Sequence, residues 1–304
     1  MTILGEGNTP LIEAPRLSAE LGARVHVKCE SLNPTGSFKD RGMAFAVGRA
    51  VERGAHTVVC ASTGNTAASA AAYAARFGVR AVVLTPEGAT ATAKRAQARA
   101  VGAHVVELEG TFDDALRCCR ELAQEDGFEL VNSVNPDRLD GQATLVPELV
   151  EQLGTAPDLI ALPYGGGGNS SAIALGIERA GIATKLLGGE ARERPTTFAS
   201  AIRIGEPAHA ENIDRLRESG RLEVVTLSED EIRDAWLALA RAEGVFCEPA
   251  SAAGLAALRR SRPVEGALVV CVVTGHGLKD AGAVPEDDRP TVAPTVAAIL
   301  EAIA

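Results

Sequence analysis

Short apolar runs alternate with longer segments of helical periodicity along the first half of the chain. Residues 24–30 alternate valine and cysteine with charged residues, which is typical of a half-buried strand. Alanine-rich helices are predicted at 65–77 and 91–101, each followed by a glycine, which commonly ends a helix. A further helix is predicted to open at Thr111. Apolar strands are predicted at residues 57–61, 80–84 and 104–108.

The second half of the chain repeats this alternation. Ser228 and Glu231 have the spacing of a capping box, and apolar residues follow them at helical spacing. The acidic, proline-rich residues 285–294 predict a loop before a last helix. Apolar strands are predicted at residues 159–162, 185–187, 223–227 and 268–273. Strands separated by helices of this length predict parallel sheets covered on both faces, and we expect two α/β units around a cleft.

Composition and charge narrow the classes of protein that fit this pattern. A chain of 304 residues with 46% hydrophobic and 23% charged residues is ordinary for a globular protein of roughly two domains. The net charge of −10 disfavours a nucleic-acid or anionic-membrane partner, although a local basic pocket for a small anion remains compatible with it. Aromatic residues make up only 3% of the chain, so we expect an aliphatic core.

The six cysteines are scattered and predict neither a disulfide framework nor a zinc site. Met1 to Pro10 lack the basic and apolar segments of a signal peptide. The longest apolar run, residues 267–273, is too short to cross a bilayer. We therefore expect a cytoplasmic protein without a metal.

Residues 33–42, Asn-Pro-Thr-Gly-Ser-Phe-Lys-Asp-Arg-Gly, combine a turn with the predicted start of a helix. Ser37 is the expected N-cap, which places Lys39 in the first helical turn. The helix dipole there lowers the pKa of a lysine and favours the neutral amine that Schiff-base chemistry needs. The alternative is a solvated lysine on a capped helix.

Two further segments combine a strand end with polar or glycine residues and a helix start. Residues 61–66, Ala-Ser-Thr-Gly-Asn-Thr, offer hydroxyls, an amide and free N–H groups for an anion, or simply an N-cap and a glycine turn. Residues 165–170, Gly-Gly-Gly-Gly-Asn-Ser, match neither the dinucleotide fingerprint nor a Walker motif. A phosphate cradle built from backbone N–H groups is favoured there over a flexible connection.

Polar residues also follow two other predicted strands. Thr274 comes directly after residues 268–273, so its hydroxyl is expected at the carboxyl edge of a parallel sheet. His276 is either a base or a turn residue. Arg138, beyond Asn132 and Ser133, is either a bidentate ligand for a carboxylate or phosphate, or a surface residue in a turn.

Together these segments resemble fold type II pyridoxal-phosphate enzymes of the tryptophan synthase β-like family, and most closely the threonine synthase family. The resemblance implies two three-layer α/β domains with mostly parallel twisted sheets and pyridoxal 5'-phosphate in the interdomain cleft. It implies a large domain of residues 1–43 and 135–304 and a small domain of residues 44–134. The segments that carry it are GNTPL (7–11), NPTGSFKDRG (33–42), STGNT (62–66), NSVNPDRLDGQ (132–142), AIRIG (201–205), EPASA (248–252) and VVCVVTGHGLKD (269–280).

The resemblance also implies a role for each matching residue. Lys39 is the catalytic residue and holds the cofactor as a Schiff base, Asn65 bonds its ring oxygen, and Thr274 faces its pyridine nitrogen. The implied ligands of the cofactor phosphate are Gly165, Gly166, Gly167, Gly168 and Asn169. Ser62, Thr63 and Thr66 correspond to the substrate-carboxylate loop, and Asn132, Ser133 and Arg138 to the clamp for a substrate phosphate.

The implied reaction converts O-phospho-L-homoserine and water to L-threonine and phosphate, by γ-elimination and β-addition, in a homodimer. The chain departs from the family at Gly166 and Gly167, where asparagine and alanine are common, and at Tyr164, where a smaller residue is common. One alternative is a paralogue that acts by β-replacement or dehydration on phosphoserine, serine or threonine. Another is a non-catalytic protein that binds the same cofactor.

Overall fold

The fold consists of two sheets with helices on their faces, and the computed structural model describes residues 3–88, 92–284 and 291–303 of it. The strands are β1 Leu11–Glu13, β2 Arg24–Cys29, β3 Thr57–Ala61, β4 Arg80–Pro86, β5 His104–Leu108, β6 Phe128–Leu130, β7 Leu159–Pro163, β8 Lys185–Ala191, β9 Leu222–Leu227 and β10 Leu268–Val273. The helices are α1 Pro15–Leu21, α2 Lys39–Glu52, α3 Asn65–Phe77, α4 Thr92–Ala100, α5 Phe112–Leu122, α6 Pro136–Ala143, α7 Leu145–Leu153, α8 Gly168–Ala180, α9 Ala210–Glu218, α10 Glu229–Glu243, α11 Ala253–Ser261 and α12 Val296–Ile303.

The larger sheet has six strands in the order β1-β2-β10-β7-β8-β9. Its strands pair in parallel, except for the antiparallel pair β1 and β2. Strand β10 lies in the middle and all of its residues are buried, because helices cover both faces of a parallel sheet. One face packs against α10 and α11 and the other against α7 and α8, with aliphatic side chains on both sides.

The smaller sheet has four parallel strands in the order β5-β4-β3-β6. Helices α2 and α3 cover one face with alanines and small aliphatic side chains, and α5 covers the other. The many alanines of α3 let this helix pack closely against the sheet and against α2. The predicted aliphatic core and parallel sheets are therefore confirmed for both units.

Most predicted elements lie where the pattern placed them, with small differences at their ends. The helix at residues 65–77 and the Ser228–Glu231 capping box are confirmed. The strand predicted at 185–187 continues to Ala191, because Gly188 and Gly189 interrupt the apolar pattern while the backbone stays paired with β9. Of the loop predicted at 285–294, residues 285–290 lie outside the described residues.

The six cysteines are all free thiols, five of them buried, as expected for small hydrophobic side chains in a core. Within the described ranges, no helix is both long and apolar enough to cross a membrane. All strands of the smaller sheet come from residues 57–130. The division of the chain at residues 44 and 134 into two domains stays a prediction.

Candidate active site

Lys39 lies at the carboxyl end of the larger sheet, where the loop after β2 meets the loop after β10. Ser37 forms a bridge with Gly275, and the Phe38 N–H donates to the Thr274 carbonyl at 2.9 Å. These bonds fix Lys39 as the first residue of α2. The prediction that Ser37 caps this helix is wrong. The N-cap is Phe38 without a side-chain bond, and the buried Ser37 hydroxyl has no partner among the described residues.

The pKa of the Lys39 amine lies near neutral pH. Burial, and then the positive charge of Arg138, lowers its pKa to about 7, while Glu248 acts in the opposite direction. The lowered pKa agrees with the prediction from the sequence. That prediction rested on the helix dipole, whereas desolvation is the leading cause in the structure. A large part of the amine is therefore neutral and nucleophilic near pH 7.

The turn after β3 carries Asn65 and three hydroxyl residues. The Ser62 hydroxyl accepts from the N–H groups of Gly64 (3.1 Å) and Ala67 (3.2 Å), so it stabilises the start of α3. Asn65 donates through Nδ2 to the Glu248 carboxylate at 3.0 and 3.1 Å, and its buried Oδ1 has no partner in the described part of the chain. Thr63 and Thr66 are half-buried on the same turn.

Glu248 and Lys94 belong to this cluster, although the residue-by-residue predictions did not include them. Both side chains are almost fully buried, and Lys94 Nζ lies 3.2 Å from Glu248 Oε2. Lys94 also donates to Ser200 Oγ at 3.2 Å. A Cβ at Gly275 would lie 2.1 Å from Glu248 Oε1, so glycine at this position leaves room for the carboxylate. The EPASA segment signalled Glu248, whereas no motif signalled Lys94.

Thr274 and Ser251 form a hydroxyl pair at the end of β10. Their Oγ atoms are 3.0 Å apart, and Ser251 Oγ accepts from the N–H groups of Thr274 (3.0 Å) and Gly275 (2.9 Å). Thr274 is thereby held in place at the predicted position. His276 Nδ1 accepts from the Leu278 N–H at 3.1 Å, so the structure supports the turn-residue alternative for it.

The glycine loop at residues 165–170 leads into the first turn of α8, with Gly167 as N-cap at a positive φ of 82°. Its backbone N–H groups have no acceptor among the described residues. Asn169 Nδ2 and Ser170 Oγ are buried and likewise lack partners there. A helix start with open N–H groups and unpartnered polar side chains favours an anion.

The predicted clamp residues differ in their hydrogen bonding: Asn132 is bonded to the backbone, whereas Arg138 keeps unpartnered donors. The Asn132 side chain accepts from the Ala61 N–H at 2.9 Å and donates to the Ala61 carbonyl at 2.8 Å. These two bonds fix the end of β3. Arg138 is fully buried on α6, and its Nη1 donates to the Val131 carbonyl at 3.3 Å. Arg138 Nε and Nη2 have no partner in the described ranges. Ser133 lies close to the glycine loop, since a Cβ at Gly168 would be 3.7 Å from Ser133 Cβ.

Arg138 therefore carries a buried positive charge with open donors. Burial lowers the pKa of Arg138 to about 10, which still leaves it charged at neutral pH. A buried charge without a paired group is strongly unfavourable, which is why buried cations in proteins are normally matched by an anion. Arg138 and the glycine loop thus each present unpartnered donors that suit an anion.

These residues fit a phosphorylated aldehyde cofactor such as pyridoxal phosphate. The near-neutral amine of Lys39 suits the aldehyde, and the open N–H groups of the glycine loop suit the phosphate. Asn65 is tied to Glu248, and the Thr274 carbonyl accepts from the Phe38 N–H next to Lys39, so both residues offer polar groups near the amine. Because Asn65 Nδ2 already donates to Glu248, a bond from it to a ring oxygen would share this donor, and that contact stays a prediction.

Comparisons with known proteins agree with this fit. Residues 2–275 match the family described as pyridoxal-phosphate dependent enzyme. The chain is 46% identical to the threonine synthase of Mycobacterium leprae, over 95% of this chain and 86% of that protein. It is 45% identical to the threonine synthase of Halalkalibacterium halodurans, over 96% of this chain and 88% of that protein.

A solved structure shows the same fold at lower identity. The cysteine synthase of Entamoeba histolytica superimposes with a TM-score of 0.82 at 20% identity, and the match covers 95% of this chain and 92% of that one. The fold, the match over residues 2–275 and the two curated relatives agree. The chain belongs to the family of pyridoxal-phosphate-dependent enzymes.

Proposed function

We propose that this chain is a threonine synthase, which converts O-phospho-L-homoserine and water to L-threonine and phosphate. The relatives named above support the reaction, since about 45% identity extends over almost the whole chain. The observation that carries the substrate class is Arg138, whose fully buried guanidinium leaves Nε and Nη2 without a partner among the described residues. A second phosphate, that of the substrate, satisfies this charge.

Each part of the cofactor has a matching group in the cleft. Lys39 would hold its aldehyde carbon, residues 165–169 its phosphate, and Asn65 and Thr274 its ring. When bound, pyridoxal phosphate supplies an electron sink that makes hydrogens at the α- and β-carbons of an amino acid acidic. Thr274 places a neutral hydroxyl, held by Ser251, where an aspartate would otherwise stabilise a charged ring nitrogen.

Lys39 is the residue that moves protons in this proposal. A free amine with a pKa of about 7 both accepts and returns a proton near neutral pH. Lys39 would remove the hydrogen from the α-carbon and deliver a proton to the γ-carbon after phosphate has left. Lys39 is half-buried, which limits the competition of bulk water for these protons.

Arg138 and Ser133 would hold the phosphate of the substrate and stabilise it as it leaves the γ-carbon. A guanidinium with two open donors binds a phosphate bidentately. Thr63, Thr66 and the N–H groups at the start of α3 would hold the substrate carboxylate. The substrate would then be fixed at both ends, with its α-carbon near Lys39.

The smaller unit, residues 44–134, would close on the larger one when substrate binds. Buried contacts of α4 with the larger unit, such as Lys94 with Glu248 and Gln97 with Lys279, support this proposal. We also infer a homodimer in the cytoplasm. The resemblance favours the dimer, and six free thiols are typical of a reducing compartment.

The decisive experiment measures phosphate release and amino-acid products from four compounds: O-phospho-L-homoserine, O-phosphoserine, L-serine and L-threonine. We expect threonine and phosphate from O-phospho-L-homoserine only. Keto acid from serine or threonine would instead indicate a dehydratase, and turnover of phosphoserine a β-replacement enzyme. Cofactor binding without turnover of any compound would indicate a non-catalytic protein.

The variant Lys39→Ala tests the central residue within the same assay. We expect it to lose both turnover and the visible absorbance band of the covalently bound cofactor, because the substitution removes the amine that would form that bond. Retention of both signals would contradict the proposal.

A further inference from the structure

His209 lies between the glycine loop and the segment that carries Ser133, and no sequence motif marks it. It is the N-cap residue of α9. Its backbone N–H donates to the Gly166 carbonyl at 3.2 Å, and its ring Nε2 is 3.0 Å from the Ser133 carbonyl oxygen. Because a carbonyl oxygen only accepts, the ring hydrogen must sit on Nε2. One residue thus bonds the two segments that line the two anion pockets.

The side chain of His209 packs closely against the glycine loop. A Cβ at position 167 would lie 3.1 Å from His209 Cβ, and one at position 168 would lie 3.5 Å from His209 Nε2. A side chain at position 167 would be crowded by His209 and strained by the positive φ of 82°, which gives a physical reason for Gly167 in place of the alanine that is common in the family. A side chain at 167 would also meet Ile213 Cγ1 at 2.9 Å.

The charges around His209 favour a neutral ring. Burial, together with the positive charges of Arg138 and Lys39, lowers the pKa of His209, while the bond to Ser133 raises it. A neutral ring adds a single donor without adding a third positive charge next to Arg138 and Lys39. The ring can then act as a fixed spacer rather than as a ligand that competes for the phosphate.

Two other residues in the first turn of α9 contact the glycine loop or the start of α8. Asn212 Nδ2 donates to Ser171 Oγ at 2.8 Å, and Ile213 packs against Gly167. Their contacts with the loop hold α9 against α8. The bond from His209 to Ser133 is a separate connection, which links this packed unit to the segment that leads to Arg138.

We propose that His209 is a positioning residue that fixes the distance between the cradle of the cofactor phosphate and the Ser133–Arg138 pocket for the substrate phosphate. Its backbone N–H bonds Gly166, its ring packs beside Gly168, and its Nε2–H holds the Ser133 carbonyl. The assignment of the second pocket to a substrate phosphate rests on the proposed function. The role of His209 toward the cofactor phosphate does not.

The test compares His209→Ala, His209→Gln and the exposed-site control His104→Ala. For each apoenzyme, the dissociation constants of pyridoxal phosphate and of pyridoxal, which lacks the phosphate, are measured by cofactor absorbance or fluorescence. For each holoenzyme, KM and kcat for O-phospho-L-homoserine and the thermal midpoint are measured. Glutamine is informative because its side-chain amide can donate to the Ser133 carbonyl in place of Nε2–H.

For His209→Ala we expect a severalfold smaller preference for pyridoxal phosphate over pyridoxal. We also expect a KM raised about tenfold with kcat changed less than twofold, the range expected when one buried hydrogen bond is lost. His209→Gln should restore most of both effects, and His104→Ala should resemble the wild type.

Three results would overturn the proposal: unchanged cofactor preference and KM in His209→Ala, a loss in kcat alone, or a fall in thermal midpoint that glutamine restores without restoring KM. If the wild-type enzyme does not turn over O-phospho-L-homoserine, the proposed function fails. The comparison of pyridoxal phosphate with pyridoxal then still decides whether His209 positions the cradle.

Discussion

Lys39 shows how one side chain acquires its chemistry from its surroundings. It starts α2, where the helix dipole disfavours a positive charge, but burial and Arg138 are the stronger influences on its pKa. The negative charge of Glu248 acts in the opposite direction and limits the shift. The amine is therefore held close to the pH at which it can both attack a carbonyl carbon and carry a proton.

The pH dependence of cofactor binding should reveal this pKa. The neutral amine is the nucleophile, so we expect the rate at which apoenzyme binds pyridoxal phosphate to rise about tenfold per pH unit below about pH 7 and to level off above it. Stopped-flow absorbance from pH 5.5 to 9 measures this rate. A rate that continues to rise up to pH 10 would mean that Lys39 keeps an ordinary lysine pKa.

Arg138 carries a second prediction at the scale of one residue. We expect Arg138→Gln to raise KM for O-phospho-L-homoserine about 100-fold or more, because the substrate phosphate loses a charged, bidentate partner. Cofactor affinity should change far less. The exposed Arg99 offers a matched control, and Arg99→Gln should leave KM unchanged.

The same variant has a consequence for the apoenzyme that a purely structural arginine would not show. Removing a buried charge that has no anionic partner should leave the free energy of unfolding unchanged or higher. Urea unfolding of apo Arg138→Gln measures it. A clear loss of stability would mean that Arg138 mainly supports the fold.

At the scale of elements, the positions of Lys39 and Arg138 depend on how closely α2 and α6 pack. A Cβ at Gly141 would lie 2.2 Å from the Arg41 carbonyl oxygen, and one at Gly42 would lie 2.8 Å from the Arg138 carbonyl oxygen. Each helix thus presents a glycine to the backbone of the other. This contact sets the distance between the two helices that carry the amine and the guanidinium.

Gly141→Ala should therefore push α6 away from α2. We expect a loss of about 1–3 kcal/mol in the free energy of unfolding, as for other overpacked contacts, together with a higher KM for O-phospho-L-homoserine. Gly205, which has open space around it and no positive φ, supplies the control Gly205→Ala. Equal stability of the two variants in urea unfolding would refute this account of the helix pair.

At the scale of the whole molecule, a buried ionic network ties the N-terminal segment to the larger unit. Glu148 on α7 pairs with Lys28 on β2 and with Arg41 on α2, and Arg41 also bonds Glu30. The side chains of Lys28 and Arg41 are 0% and 3% exposed, so solvent screens these pairs little. Arg41 is two residues from Lys39, and the network therefore anchors the start of α2.

Glu148→Gln tests the network and its pH dependence. Burial raises the pKa of Glu148, but Arg41 and Lys28 outweigh it and hold the pKa at about 2, below the ordinary 4.5. The stabilisation is then present above pH 4.5 and is lost as the pH falls toward 2. We expect Glu148→Gln to lose about 3 kcal/mol at pH 7, because two buried cations lose their partner.

Urea unfolding of both proteins between pH 3 and pH 7 checks this expectation. The difference between wild type and Glu148→Gln should narrow as the pH falls below 4.5. Glu151→Gln, an exposed change on the same helix, is the control. A difference that is constant with pH would show that the lost interactions do not depend on the Glu148 charge.

The sequence by itself determined the fold class and the cofactor. Periodicity and glycine stops are local properties, so the strand at 57–61 and the helix at 65–77 could be predicted without tertiary contacts. The motif around Lys39 is also local, and the family and the relatives agree with what it implied. The individual roles of Lys39, Asn65, Thr274 and the clamp residues stay predictions.

Only the tertiary structure decided which groups meet and which are left without partners. Lys94 and Glu248 are 154 positions apart, and His209 and Ser133 are 76 apart, so no local pattern could pair them. Ser37 lost its expected capping role because its backbone is held by Gly275, far along the chain. Burial and partners arise from packing, and they left the donors of Arg138 unpartnered and lowered the pKa of Lys39 to about 7.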